Sequence, residues 1–520
     1  MSNSISKGLL EDKLNLQSGQ VNRASAIYPI FDLSKTDLII SFQNYWEWKK
    51  GISVSYLIRL RSNTGELILQ TTKSKPSQIN NISLKELLRG EDINHKLIYE
   101  GTAEIEINSS ENLSFPYPAI LGIYKSSNGM ISIVHAAGRS LDKIFDEEKS
   151  FSETNFYISD DDRYKPFIHI FNGSQGSLKD LKIEFKSRNS KNNKIICIPD
   201  LNLPYESKLI FIDNEIVREY KNNDSDNSIN FLNCIVKISG KTCSIFPRFV
   251  CGNFDTKNSH YCVTHTYREI NNSTDVLSNV DSSKSSIAVI PFSREFLDLK
   301  MLIYPTTSSE KTEVTLKNMN IKNSELIDVA IKKDLSIQNN TIFLKEYDNN
   351  AMPGILLSAE PANPSLDLPA RIPVNLMYGL SESMNTLPTD IAFQMSTHLS
   401  TSRKSHWHNG IFEEGYSYLI SGSGFTSKSL NKSESSSLNF LFELFVNDYD
   451  SPYIREFSLD KNEARLFTIE INQILEEAKF NKNNIHSFAW RIKVIDGTLT
   501  PLICLAYNRK LGCIYGEHSF

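Results

Sequence analysis

Apolar residues fall at every second position in many short stretches of this chain. Residues 103–107 (Ala-Glu-Ile-Glu-Ile), 236–238 (Val-Lys-Ile) and 490–494 (Trp-Arg-Ile-Lys-Val) show it clearly. Period two puts one side of a strand in a core and the other in water. Each stretch runs into a turn, as at Ser239-Gly240-Lys241 and Asp496-Gly497-Thr498, where glycine tolerates positive φ. Two apolar runs joined by a polar turn then follow, and the second ends near a histidine. His265 lies 18 positions after Pro247, His135 lies 17 after Pro118, and His518 lies 17 after Pro501. The chain thus predicts a repeated unit that closes with the same three strands.

This pattern divides the chain into a polar tail at 1–26 and four β units at 27–145, 160–275, 284–385 and 391–520. Strands are predicted at 38–42, 53–60, 67–70, 102–107, 119–124 and 131–134 in the first unit. Ser62-Asn-Thr-Gly65 reads as a turn. Ser83 and Glu86 have the spacing of a capping box and predict a short helix. In the second unit, 167–171, 181–185, 195–198 and 208–212 read as strands. The third is predicted at 287–291, 300–304, 313–317, 326–331, 341–346 and 371–378, with Pro361, Pro364 and Pro369 marking a rigid connection and no counterpart of the histidine. A helix is predicted over 467–479, where Ile469, Ile471, Ile474 and Leu475 form a stripe. Short strands, many turns and few short helices give an all-β fold of tandem antiparallel β-sandwiches.

The strand order within a unit resembles small seven-stranded sandwiches of the immunoglobulin and fibronectin type. The His265-Thr266 pair at a strand end also resembles the sandwich of the sensory rhodopsin transducer family. That second resemblance covers one unit and two residues; it bears on the fold and implies no function.

Composition narrows the partners. Hydrophobic residues make up 40% and charged residues 22%, as in an ordered globular protein. The net charge of −5 comes with scattered Lys and Arg, so neither nucleic acid nor an acidic membrane surface is an expected partner. No apolar run is long enough to span a bilayer. The first ten residues lack the apolar core of a signal peptide. Seven cysteines, none in a Cys-x-x-Cys pair, suit free thiols in a reducing compartment, and a cytoplasmic location is expected.

Candidate chemistry is sparse. His406-Trp407-His408 would place two imidazoles on one side of a strand, able to hold a metal with His398, Glu413 or Glu414. Asn409-Gly410 alternatively makes this a hairpin tip. Asp160-Asp161-Asp162 lacks the rest of a calcium loop. His135, His265 and His518 either bind a ligand at a rim or bond a backbone carbonyl to fix a strand end, and the repetition favours the second role. Arg248, Asn253, Tyr267 and Arg509 would add polar groups to that rim. Tyr45, Trp46, Trp48 and Trp407 either stack on sugars or fill cores, with Trp46 and Trp48 on one strand face. Ser421-Gly-Ser-Gly424 does not fit a nucleophile elbow. The expectation is a non-catalytic protein, without a cofactor, that binds a glycan or a protein partner. The alternatives are a self-assembling structural protein, forming homo-oligomers, and a metal-dependent enzyme using the fourth unit.

Overall fold

The computed structural model describes residues 22–111, 119–135, 162–174, 177–187, 194–213, 249–268, 405–422, 435–447, 451–460, 467–480, 485–499 and 502–520, with short pieces between them; from 286 to 396 it describes the strands alone, as backbone. The alternating stretches form four units of eight antiparallel strands. The first holds β1 (Asn22–Ile30), β2 (Thr36–Gln43), β3 (Ser55–Ser62), β4 (Leu67–Ser74), β5 (Ile79–Ser83), β6 (Gly101–Ser109), β7 (Ile120–Ser126) and β8 (Ile131–His135). The second holds β9 (Lys149–Thr154), β10 (Tyr164–Phe171), β11 (Lys179–Ser187), β12 (Lys194–Cys197), β13 (Ser207–Phe211), β14 (Cys234–Thr242), β15 (Val250–Asp255) and β16 (His260–His265). The third holds β17 (Ser286–Pro291), β18 (Asp298–Ile303), β19 (Thr312–Asn318), β20 (Val329–Ile331), β21 (Asn340–Leu344), β22 (Gly354–Pro361), β23 (Arg371–Gly379) and β24 (Thr389–Ser396). The fourth holds β25 (Ser405–Ile411), β26 (Ser417–Gly422), β27 (Leu438–Val446), β28 (Tyr453–Leu459), β29 (Phe467–Glu470), β30 (Ser487–Asp496), β31 (Ile503–Asn508) and β32 (Cys513–His518).

Strands eight apart in this numbering are equivalent. In every unit one sheet has the order first-sixth-third-fourth and the other fifth-second-seventh-eighth. One topology occurring four times is what a sequence repeat of this kind specifies.

The division of the chain differs from the sequence reading. Strand β1 starts at Asn22, inside the expected tail, and β9 starts at Lys149, before residue 160. Strand β24 pairs with β23 and closes the third unit, so the fourth begins at Ser405 and not near residue 391. The cause is loop length. Residues 380–388 separate β23 from β24, where 256–259 and 509–512 suffice in the second and fourth units. Strand β22 was also missed, because its run of Ile, two Leu and Ala does not alternate.

Local chemistry accounts for two further departures. Trp46 and Trp48 lie on a helix, α1 (Tyr45–Lys50), not a strand. Gly51 ends it at φ 67, a left-handed cap that glycine adopts without strain. The predicted 467–479 helix is split. Phe467–Glu470 alternates and pairs with β26, and the helix, α3 (Ile471–Glu477), begins only after it. The Ser83 half of the capping box is present: Ser83 Oγ accepts from the Glu86 amide at 3.2 Å and starts α2 (Leu84–Gly90).

Alternation also misleads at β6. Glu104 and Glu106 are buried, not solvated, because β6 is flanked by β1 and β3, and Arg59 on β3 lies 3.6 and 2.9 Å from their carboxylates.

Apolar side chains of the two sheets merge in each side-chain-resolved core, and the cores do not stop at unit boundaries. Phe167, Val250, Val263 and Trp407 join the core of the first unit. Leu121, Ile123, Ile131 and Ile133 join that of the fourth. Turn residue Gly65, at φ +87, presses on the second unit, where a Cβ would stand 2.2 Å from the Pro204 carbonyl oxygen.

The eighth strands position the site. Strand β8 touches β16, β16 touches β24, β24 touches β32, and β32 touches β8. Four final strands therefore form a closed ring of contacts. Side chains make the joints: Ser132 Oγ accepts from the Val263 amide at 2.8 Å, Ser126 Oγ and His260 Nδ1 share a hydrogen bond at 2.8 Å, and Cys513 Sγ donates to the Ile131 carbonyl at 3.4 Å.

Candidate functional site

The repeated histidines are the last residues of β8, β16 and β32. His265 Nδ1 donates to the Thr266 carbonyl at 2.9 Å, and His518 Nδ1 donates to the Ser519 carbonyl at 2.9 Å. A carbonyl only accepts, so in both rings the neutral proton sits on Nδ1 and the lone pair on Nε2.

The next residue is also equivalent. Thr266 Oγ1 accepts from the Phe249 amide at 3.0 Å, and Ser519 Oγ accepts from the Leu502 amide at 3.0 Å. The third residue crosses to the other sheet. Tyr267 pairs with Thr154 of β9, and Phe520 exchanges backbone hydrogen bonds with Trp407 of β25 at 3.0 and 3.2 Å. His-Thr-Tyr and His-Ser-Phe are thus one device that ties the two sheets of a sandwich together. It supports the strand-fixing role for His265 and His518.

His135 does something else. Its ring lies 4.2 Å from that of His265 and 4.8 Å from that of His518, centre to centre. Three histidines separated by more than a hundred residues meet where the eighth strands converge. Glu517 lies among them, 3% exposed. One carboxylate oxygen, Oε2, accepts from the His135 amide at 3.1 Å and contacts His135 Nδ1 at 3.0 Å. The other, Oε1, accepts from the His518 amide at 2.9 Å and stands 3.8 Å from His518 Nε2. Burial alone would raise the pKa of Glu517; the attraction and hydrogen bond of His135, then those of His518, outweigh it and hold the group down to about 2. Phe520 caps the cluster, its ring 5.9 Å from His135 and 5.8 Å from His518.

The expected His406–His408 site is arranged differently. A strand is present, but Asn409 and Gly410 pair with Ala489 and Phe488, so this is mid-strand and not a hairpin tip. His406 is 1% exposed and its Nδ1 shares a hydrogen bond with Ser519 Oγ at 3.0 Å. His408 is packed between the rings of Trp490 and Phe520, at 6.2 and 6.1 Å. Burial pushes its pKa down to about 4. Glu413 pairs with Lys125 of the first unit, Glu414 is exposed, and His398 lies outside the described residues. Among the described residues, the group of His, Cys, Asp and Glu close enough to share a metal is His135, Glu517 and His518.

Two residues expected at the rim, Asn253 and Arg509, lie away from the histidines. Asn253 pairs with Cys262, three residues along the strand from His265, roughly 10 Å. Arg509 is exposed in the turn at the far end of β32, five pairs from His518, roughly 17 Å. Arg248 and Asp160-Asp161 lie outside the described residues. Trp407 is 6% exposed, packed between Tyr45 at 5.4 Å and Trp48 at 5.8 Å, with Lys49 Nζ 4.2 Å from its ring centre. Two residues of the cluster, Glu517 and Phe520, were missed. The signal for Glu517 was a departure within the repeat, since the position before the histidine is Val134 or Thr264 in the other two copies and a carboxylate here.

Compared with protein-family models and with curated protein sequences, the chain gives no match.

Proposed function

We propose that the protein is a non-catalytic scaffold that binds protein partners along the open edges of its sandwiches. The observation behind this reading is the state of the fourth strand in each unit whose side chains are described. Strands β4, β12 and β28 each end a sheet. Each carries an exposed aliphatic residue: Leu67 at 47%, Ile195 at 55% and Ile454 at 54%. An edge strand with unpaired backbone groups and an apolar side chain beside them accepts an added strand from another chain. The occupant is therefore an extended, alternating apolar segment of a partner protein.

The glycan form of the expectation loses its support. Trp46 and Tyr45 are 0% and 1% exposed, and Trp48 is covered by the Arg491 guanidinium 3.9 Å from its ring centre. A sugar needs a free aromatic face, and these faces are taken up between the first and fourth units.

Panning a library of extended peptides against the full chain tests the reading. Binders should alternate apolar residues and lose affinity when Leu67, Ile195 and Ile454 are all changed to Lys. Binders indifferent to that triple variant would overturn it. Concentration-dependent self-association in light scattering, abolished by the same variant, would move the function to self-assembly.

A further inference from the structure

We propose that His135, Glu517 and His518 form a binding site for one divalent transition-metal ion of the zinc class, where the eighth strands meet. Three observations carry this. The donor atoms of the three residues lie within 4.8 Å of one another. Tetrahedral zinc with bonds of about 2.1 Å places its ligands about 3.4 Å apart. The present separations, 3.0 Å from His135 Nδ1 to one Glu517 oxygen and 3.8 Å from His518 Nε2 to the other, lie on either side of that value.

Second, the orientation of the donors is set in advance. The Ser519 carbonyl holds the proton of His518 on Nδ1, which directs the Nε2 lone pair toward Glu517. A carbonyl behind an imidazole is the usual partner of a metal-binding histidine, fixing its tautomer and raising its basicity. Two backbone amides, of His135 and His518, fix the carboxylate. The ring of His265 stands beside His135, 4.2 Å away centre to centre.

Third, the donor set selects the ion. Two imidazoles and one carboxylate suit zinc, cobalt or nickel. Calcium and magnesium call for six or more oxygens, more than the described residues bring to this cluster. With Glu517 at 3% and His265 at 1% exposure, the ion would be structural, clamping the first unit to the fourth. The plain alternative is a buried His135–Glu517 ion pair without metal affinity, and the experiment separates the two.

The test uses the full chain, treated with a chelator, dialysed, and titrated with Zn2+ by calorimetry, with elemental analysis of the saturated protein. One equivalent and a rise in the thermal midpoint are expected. Glu517→Gln keeps the size of the side chain and one acceptor oxygen but removes the charge, and should weaken binding at least about 100-fold, beyond the 10–100-fold typical of losing a partner behind the ligands. His408→Gln, a buried neighbour outside the donor set, should leave affinity within about threefold. X-ray absorption on the zinc-loaded unsubstituted protein should show imidazole scattering, a readout independent of how any variant folds. No zinc uptake, uptake without imidazole ligands, or equal binding by the Glu517→Gln variant would each overturn the assignment.

Discussion

The eighth and fourth strands of a unit both end a sheet, and the molecule treats them in opposite ways. Ile131, Val134, Val263 and Glu517 on the eighth strands are 0–4% exposed, because the eighth strands of all four units close on one another. Leu67, Ile195 and Ile454 on the fourth strands are about half exposed. Every open sandwich has edges whose backbone groups invite another strand. In the units whose side chains are described, the eighth-strand edge is buried against other units and the fourth-strand edge lies at the surface. The difference teaches that covering an edge depends on what surrounds it, since the topology of the four units is the same.

The largest effect should come from the centre. Glu517→Ala would leave the surrounding histidines without their acceptor, and breaking a buried ion pair from one side costs about 3–5 kcal/mol. Chemical denaturation would measure it; a loss below about 1 kcal/mol would mean that the cluster does not hold the ring. Acid probes the same place. The Glu517 pKa is lowered on folding, from 4.5 to about 2, so its contribution is complete above pH 4.5 and is lost as pH falls toward 2. His408 and His260 are lowered by burial from 6.5 to about 4, so their neutral forms favour the folded state above pH 6.5 and this advantage is lost between pH 6.5 and 4. Stability should therefore start to fall near pH 6.5 and fall again below 4.5. A midpoint constant from pH 7 to 3 would contradict both shifts.

The tie between sheets is a smaller lever. Ser519→Ala leaves the Leu502 amide and His406 Nδ1 without the hydroxyl, and an unsatisfied buried group costs about 1–3 kcal/mol. Thr266→Val should act alike through Phe249. Thermal unfolding of both variants would show whether the two copies of the device are equivalent. The smallest effect belongs to the fourth-strand edges. Ile195→Lys and Ile454→Lys should change stability by no more than about 0.5 kcal/mol, as at ordinary surface positions. A larger loss in calorimetry would mean that these edges are packed, and the comparison would fail.

The sequence exposed the strands well, because period-two alternation is a local consequence of having one buried face. It exposed the Ser83 cap for the same reason, since the cap is made within four residues. It concealed α1, whose six residues are too few to show a helical period, and β22, which does not alternate. It marked His135, His265 and His518 as equivalent but gave no sign that they meet. That depends on how whole sandwiches pack, and no spacing along the chain encodes it. The sequence left open whether the Trp407 ring fills a core, because its partners, Tyr45 and Trp48, lie more than 350 positions away.

Native-state hydrogen exchange compares the eighth and fourth strands most directly. The account predicts strong protection throughout β8, β16 and β32, approaching that of global unfolding. It predicts that alternate amides of β4, β12 and β28, those with no neighbouring strand, exchange orders of magnitude faster. Equal protection of the two groups, or faster exchange in the eighth strands, would contradict it.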